Sequence, residues 1–236
     1  MATITVSLQP GEYTSFSGVQ FSDNYLDKAI RIYEYAQSAG RSEISSKSIQ
    51  KALLIKYSFQ ESDLRTLISL LKKMGYIESL DNKVTADKLF TLSGKLFIQI
   101  CKVKSLDTKN NLAFTNRIER AFQLILQKGL LYAWNNKETS DVPKSFWLLV
   151  ELFKILGYMS GKEYLYAISC KKDPSYIAQL IRENRQKNND YNIINSITQK
   201  PIANTAYSYN FGILQQAGLL EFLSSIYFKL TKNIFI

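Results

Sequence analysis

The chain has 236 residues, 46% of them hydrophobic, with 30 Lys and Arg against 20 Asp and Glu, a length that suits one large domain or two small ones. The absence of histidine excludes Ser-His-Asp and Cys-His nucleophile systems, imidazole-ligated zinc and a histidine general base. Two cysteines, Cys101 and Cys170, are too few for a four-thiolate metal site or a disulfide framework.

Residues 1–22 alternate apolar side chains with two glycines and a proline, and read as an N-terminal arm or short strand. From Asp23 the period becomes helical: Leu26, Ala29, Ile30, Ile32, Tyr33 and Ala36 recur until Gly40, a natural stop. A second helix is predicted over 45–57, with Ile49, Ala52, Leu53 and Ile55 on its buried side. A third follows Ser58-Phe59-Gln60-Glu61, which has capping-box spacing, and its apolar face is Leu64, Leu67, Ile68, Leu71 and Met74. Gly75-Tyr76-Ile77-Glu78 then reads as a helix stop and short strand. Residues 79–88 are a polar loop around the turn Asp81-Asn82-Lys83, and Leu89-Phe90-Thr91-Leu92 is a second strand. Ser93 is placed to cap a helix reaching about residue 103. This order is that of a winged helix, a helix-turn-helix with an appended β-hairpin.

Helical patterns recur over 114–134 and 145–156, separated by a polar stretch. Ser160-Gly161-Lys162-Glu163 is a Ser-x-x-Glu start for a helix to Cys170; Pro174 opens another over 175–187, and 188–190 breaks it. The last helix, over 205–217, leads into Gly218-Leu219-Leu220-Glu221 and Tyr227-Phe228-Lys229-Leu230-Thr231. Here an earlier signature returns. Leu71-Lys72-Lys73-Met74-Gly75-Tyr76-Ile77-Glu78 and Leu214-Gln215-Gln216-Ala217-Gly218-Leu219-Leu220-Glu221 share a helix, a glycine stop, two apolar residues and a glutamate. Each is followed by a strand containing Leu and Thr. The predicted architecture is mainly α with small β-hairpin wings. It comprises an arm (1–22), a first winged-helix module (23–104), a helical linker (105–139) and a second module (140–236).

The net charge of +10 and pI near 9.4 point to a polyanionic partner. No basic leader precedes an apolar segment, and the greasiest stretch, 146–159, is interrupted by Glu151 and Lys154 and too short to span a bilayer. The reading is a soluble, cytoplasmic monomer that binds double-stranded DNA and no membrane. In a helix-turn-helix the second helix of the motif enters the major groove. With the apolar side of the third helix turned inward, Arg65, Thr66, Ser69, Lys72 and Lys73 face out. Arg65 suits a bidentate pair with guanine, and the lysines suit phosphates. Lys47, Lys51 and the wing residue Lys83 are placed to hold the backbone. In the second module Asn204, Ser208, Asn210, Gln215 and Gln216 form the reading face, with Arg182, Arg185 and Lys187 as anchors. The alternative for both sets is an ordinary solvated helix face.

Two tripeptides, Asp81-Asn82-Lys83 and Asp107-Thr108-Lys109, match the acidic-x-lysine element of Mg²⁺ nucleases, a pattern common by chance in a lysine-rich chain. Ser93-Gly94-Lys95 and Ser160-Gly161-Lys162 lack the glycine frame of a phosphate loop. The run Phe146-Trp147-Leu148-Leu149-Val150-Glu151-Leu152-Phe153-Lys154-Ile155-Leu156-Gly157-Tyr158-Met159-Ser160-Gly161-Lys162-Glu163-Tyr164 resembles a segment of the recognition regions of type II restriction endonucleases, especially shifted-cleavage enzymes. There, too, a helix ending in Leu-Gly-Tyr precedes a Ser/Thr-x-x-Glu helix start, and the closing helix, glycine and strand pair look like the family's later winged helix. The resemblance covers roughly residues 23–231. It implies tandem winged helices reading an asymmetric duplex site, with no cofactor in this chain and Mg²⁺ in a separate nuclease domain. The apolar ending Asn233-Ile234-Phe235-Ile236 suits a fragment of a longer protein. A plasmid replication initiator or transcription regulator with paired winged helices is the alternative. A compact nuclease using Asp81 or Asp107, and a protein-binding scaffold, stand behind it.

Overall fold

The computed structural model describes residues 2–13, 15–16, 18–80, 84–106, 112–136, 143–203, 205–224 and 227–231. Among them the chain is mainly helical, with nine α-helices and three small sheets. None of the described helices is long and apolar enough to cross a membrane. Two compact units divide the chain: a continuous one, Ser17–Asp141, and a discontinuous one, Met1–Phe16 with Val142–Ile236. Strand β1 (Thr3–Leu8) opens the discontinuous unit.

In the continuous unit, α1 (Asp23–Ala39) buries Leu26, Ala29, Ile30, Ile32 and Ala36 and ends at Gly40, whose φ is 58°. After β2 (Glu43–Ile44), Ser45 caps α2 (Ser46–Tyr57): its hydroxyl accepts from the Ser48 amide, and the Ser48 hydroxyl accepts from the Ser45 amide. Ile49 and Leu53 are buried, but Ile55 is 74% exposed. It lies two positions beyond Leu53, about 200° around a helix, so both cannot face the core. The capping box expected at Ser58 and Glu61 does not form. Ser58 takes the left-handed C-cap position of α2 at φ 55°, which precludes the extended backbone of an N-cap. Gln60 instead precedes α3 (Glu61–Lys73), without a side-chain cap.

The amphipathic face of α3 buries Leu64, Leu67, Ile68, Leu70 and Leu71. Lys28, 4% exposed, reaches across from α1 to Asp63 at 2.6 Å, beside the rings of Tyr25 and Phe59. The Lys28 hydrogen bond holds the Asp63 carboxyl below its ordinary value. Because the folded value is the lower one, stability from this pair is complete above about pH 4 and drains away as pH falls through the lowered value. Asp63→Asn is expected to cost about 2–3 kcal/mol at neutral pH, less than a fully buried pair because Asp63 keeps some solvent. Below about pH 4 the melting temperature should then fall more steeply with pH for the wild type than for the variant.

Beyond Gly75, Ile77 and Phe90 make a single antiparallel bridge, while β2 pairs with β3 (Val84–Thr85) in the register Glu43↔Thr85 and Ile44↔Val84. The strand predicted at 89–92 therefore reduces to one bridge. Thr91, not Ser93, caps α4 (Leu92–Ser105), its hydroxyl accepting from the Gly94 amide at 3.0 Å. The helix predicted as a linker, α5 (Leu112–Asn135), is part of this unit and packs on α4. Tyr76 and Phe97 stack at 4.6 Å at the centre, and the Tyr76 hydroxyl donates to the Ile125 carbonyl.

The discontinuous unit runs α6 (Lys144–Leu156), β4 (Tyr158–Ser160), α7 (Gly161–Cys170) and α8 (Pro174–Gln186). It continues with β5 (Asp190–Asn195), α9 (Thr205–Gln216), β6 (Leu220–Phe222) and β7 (Tyr227–Leu230). Ser160 and Glu163 form the predicted capping box, and Pro174 opens α8 behind an Asp173 cap. Strands β4, β7 and β6 make an antiparallel sheet in that order. The sequence reading missed β5, which pairs in parallel with β1 from Thr3↔Asp190 to Leu8↔Asn195. Phe16 stacks on Phe146 at 4.4 Å, and Phe211 packs among Phe153, Tyr164 and Phe228.

The repeated sequence signature has a repeated geometry. Gly75 and Gly218 stand at φ 67° and 68°, conformations that favour glycine. In each case the glycine amide and the next amide donate back into the helix, Gly75 to Lys72 and Tyr76 to Leu71, Gly218 to Gln215 and Leu219 to Leu214. A threonine then closes the return. Thr91 donates its hydroxyl to the Gly75 carbonyl at 2.8 Å and its amide to Tyr76; Thr231 does the same to Gly218 at 2.7 Å and to Leu219.

Candidate nucleic-acid interface

The outward side of α3 carries a polar stripe. Ser62, Arg65 and Ser69 are exposed, while Thr66, Lys72 and Lys73 are half-buried beside them. Positions 62, 65, 69 and 72 fall three or four apart and share one face. The Thr66 hydroxyl donates to the Ser62 carbonyl at 2.8 Å, turning it into its own helix. Lys47 and Lys51, four apart on α2, are both exposed, and α2 packs on α3. The turn between these helices is held by stacked rings: Tyr57 and Phe59 lie 5.4 Å apart, with Arg31 over Tyr57 and Lys28 over Phe59. The exposed side chains of α2 and α3 therefore project from two helices whose junction is held by packed rings.

The discontinuous unit treats its predicted residues differently. Asn210 is fully buried: its Oδ1 accepts from the Phe16 amide at 2.6 Å and its Nδ2 donates to the Tyr164 hydroxyl. It is a core amide and not a base reader. Residues 210–214 are all buried, so this stretch of α9 is enclosed. Ser208, Gln215 and Gln216 are half-buried on the same helix. The signal was present in Phe211-Gly212-Ile213-Leu214, since a helix apolar on all sides is an interior helix. Arg182 is exposed but donates to the Ile155 carbonyl at 2.8 Å. Arg185 binds Glu163 at 2.7 and 3.0 Å and the Tyr158 carbonyl at 2.8 Å. Burial opposes its charge, yet the Glu163 carboxylate more than offsets that and keeps the guanidinium above its ordinary value. Both arginines thus brace the junction of α6 and β4. Lys187 is exposed.

Lys83, Asn204 and both acidic-x-lysine tripeptides lie outside the described residues. Sequence reasoning passed over one further cationic surface. Arg117, Arg120 and Lys128 are exposed on α5, at spacings close to whole helical turns. Reading that segment as a linker concealed it. Basic residues exceed acidic ones in both units, 19 to 13 in the continuous unit and 11 to 7 in the other. Total charge therefore does not distinguish them, and the discontinuous unit also exposes cations, among them Lys144, Lys154, Lys162, Lys171 and Lys172. The chain matches no known protein family, curated protein or solved structure.

Proposed function

We propose that this protein binds double-stranded DNA sequence-specifically through a winged-helix surface of the continuous unit, whose order of elements the discontinuous unit repeats. It would serve as the recognition part of a type II restriction endonuclease of the shifted-cleavage kind, with no catalysis in this chain. The observation that carries the reading is the exposed Arg65–Ser69 face of α3, with Lys47 and Lys51 exposed on the neighbouring helix. The order of elements supports it. In each unit a helix is followed by a short strand, further helices, a glycine stop and returning strands. In each, the early strand pairs with a late one, β2 with β3 and β4 with β7. Arg65 would read a guanine edge, with Lys47, Lys51, Lys72 and Lys73 on phosphates. The protein is then a cytoplasmic partner of duplex DNA, and Mg²⁺ belongs to a nuclease domain outside this chain.

Selection from a random duplex library at near-physiological salt, with Mg²⁺ present, tests the proposal. An asymmetric motif bound without cleavage is expected. A palindrome bound by dimers would move the reading to a replication initiator or transcription regulator, and no enrichment would overturn it. Arg65→Ala should lose about 1–3 kcal/mol of affinity for the selected site and relax preference at one base pair. An equal loss on every sequence would make Arg65 a phosphate contact.

A further inference from the structure

We propose that the cleft beside β4 and α8 in the discontinuous unit is a nucleobase-binding site. Its volume of about 660 Å³ falls in the range of small-molecule sites. Its aromatic walls are Tyr158, Tyr191, Tyr207, Tyr227 and Phe228, around the Arg185 guanidinium. That guanidinium lies 4.0 Å over the Tyr158 ring and 5.9 Å from the Tyr227 ring. Gly161 makes room for one wall, since a Cβ there would stand 2.2 Å from the Tyr207 ring. Burial raises the pKa of the Tyr207 and Tyr227 hydroxyls, so they remain protonated donors at neutral pH.

The charges in the cleft decide the ligand class. Glu163 is paired with Arg185, and Lys162 with Asp190 at 3.0 Å, so the ionised lining residues sum to zero. A bare anion gains little from such a site. Sugars favour carboxylates that accept from their hydroxyls; Glu163 is already taken by Arg185 and the Ser160 amide, and the half-exposed Asp190 is shared with Lys162. What remains is a set of aromatic rings, one face of Tyr158 already under the guanidinium, and hydrogen-bond donors. Among the described residues, none accepts from the second terminal nitrogen of Arg185. A planar heterocycle with ring nitrogens and carbonyl oxygens fits both features, through stacking and accepted hydrogen bonds. The base can belong to a DNA strand or to a free nucleotide. The site rests on this cleft alone and is independent of the α3 surface.

The test uses the full chain with two probes: adenosine and guanosine 5′-monophosphates by equilibrium dialysis, and a single-stranded oligonucleotide carrying 2-aminopurine by fluorescence. Saturable binding of either is expected, and Tyr158→Leu and Tyr227→Leu should each weaken it about tenfold or more. Thermal melts confirm that the variants fold. The two replacements guard one another, since Tyr158 is 37% exposed and contributes little to the core. Loss confined to the oligonucleotide identifies a base in a strand, and loss confined to the monophosphates a free nucleotide; both sustain the site. Absence of binding to the wild type up to millimolar probe overturns it, as does binding that neither variant alters. Duplex selection separates the two proposals: nucleotide binding without duplex enrichment leaves this site standing and removes the α3 reading, and the converse removes this one.

Discussion

Glu163→Ala is expected to destabilise the discontinuous unit by about 3–5 kcal/mol, the usual cost of removing one partner of a buried ion pair. Glu163 is 1% exposed and accepts three hydrogen bonds, two from Arg185 and one from the Ser160 amide that opens α7. Truncation leaves a guanidinium without its counter-charge and a helix N-terminus without half of its capping box. Glu163→Gln keeps the shape and one acceptor, so its loss should be clearly smaller. Denaturant titration of both variants measures the difference. If alanine costs less than about 1 kcal/mol, water reaches Arg185 and the pair is not a structural keystone.

Gly94→Ala should cost more than about 3 kcal/mol, at the upper end of overpacking effects. A Cβ at position 94 would lie 1.8 Å from the Tyr76 carbonyl oxygen and 2.7 Å from its carbon. Neither side can yield easily. The same carbonyl accepts from the Thr91 amide, and the Gly94 amide is bound to the Thr91 hydroxyl, so both backbones are fastened to one residue. Gly129→Ala is the informative control. There the added atom meets side chains and not backbone, the Met74 methyl at 2.6 Å and the pinned Tyr76 hydroxyl at 2.7 Å. Alanine also favours a helix interior by up to about 1 kcal/mol. The melting temperature of Gly94→Ala should therefore fall well below that of Gly129→Ala.

What could be read in advance follows from the range of the forces involved. Helix periodicity and glycine stops are local, and α1, α3 and the Ser160–Glu163 start emerge where Leu26, Leu64 and the capping pair indicate. The kinship of the two helix ends was visible because glycine, apolar pair and threonine sit at matching places. The errors come from competition and distance. Ser58 had two caps available and serves the preceding helix. Ile55 lost its place in the core to Leu53 and Ile49. Asn210 looked like a surface amide until Phe16, far away in sequence, supplied its donor. Of the residues expected to face outward, Lys47, Lys51, Arg65 and Ser69 are exposed, because an exposed stripe is the complement of a clear apolar face. Arg185 was not, since its partner Glu163 belongs to the preceding helix and was assigned to capping alone.

The parallel pairing of β1 with β5 also sets an order of events during synthesis. β1 is made first, yet its partner at residues 190–195 emerges only after all of Ser17–Asp141. The continuous unit can complete its core while β1 is still an open strand with unpaired amides and carbonyls. Closing that long loop adds little equilibrium cost, because the entropy rises only logarithmically with length, but it delays the second unit. Thr3, Thr5 and Ser7, the exposed positions of β1, keep the waiting strand polar along one side. That polarity limits pairing with other nascent chains in the interval.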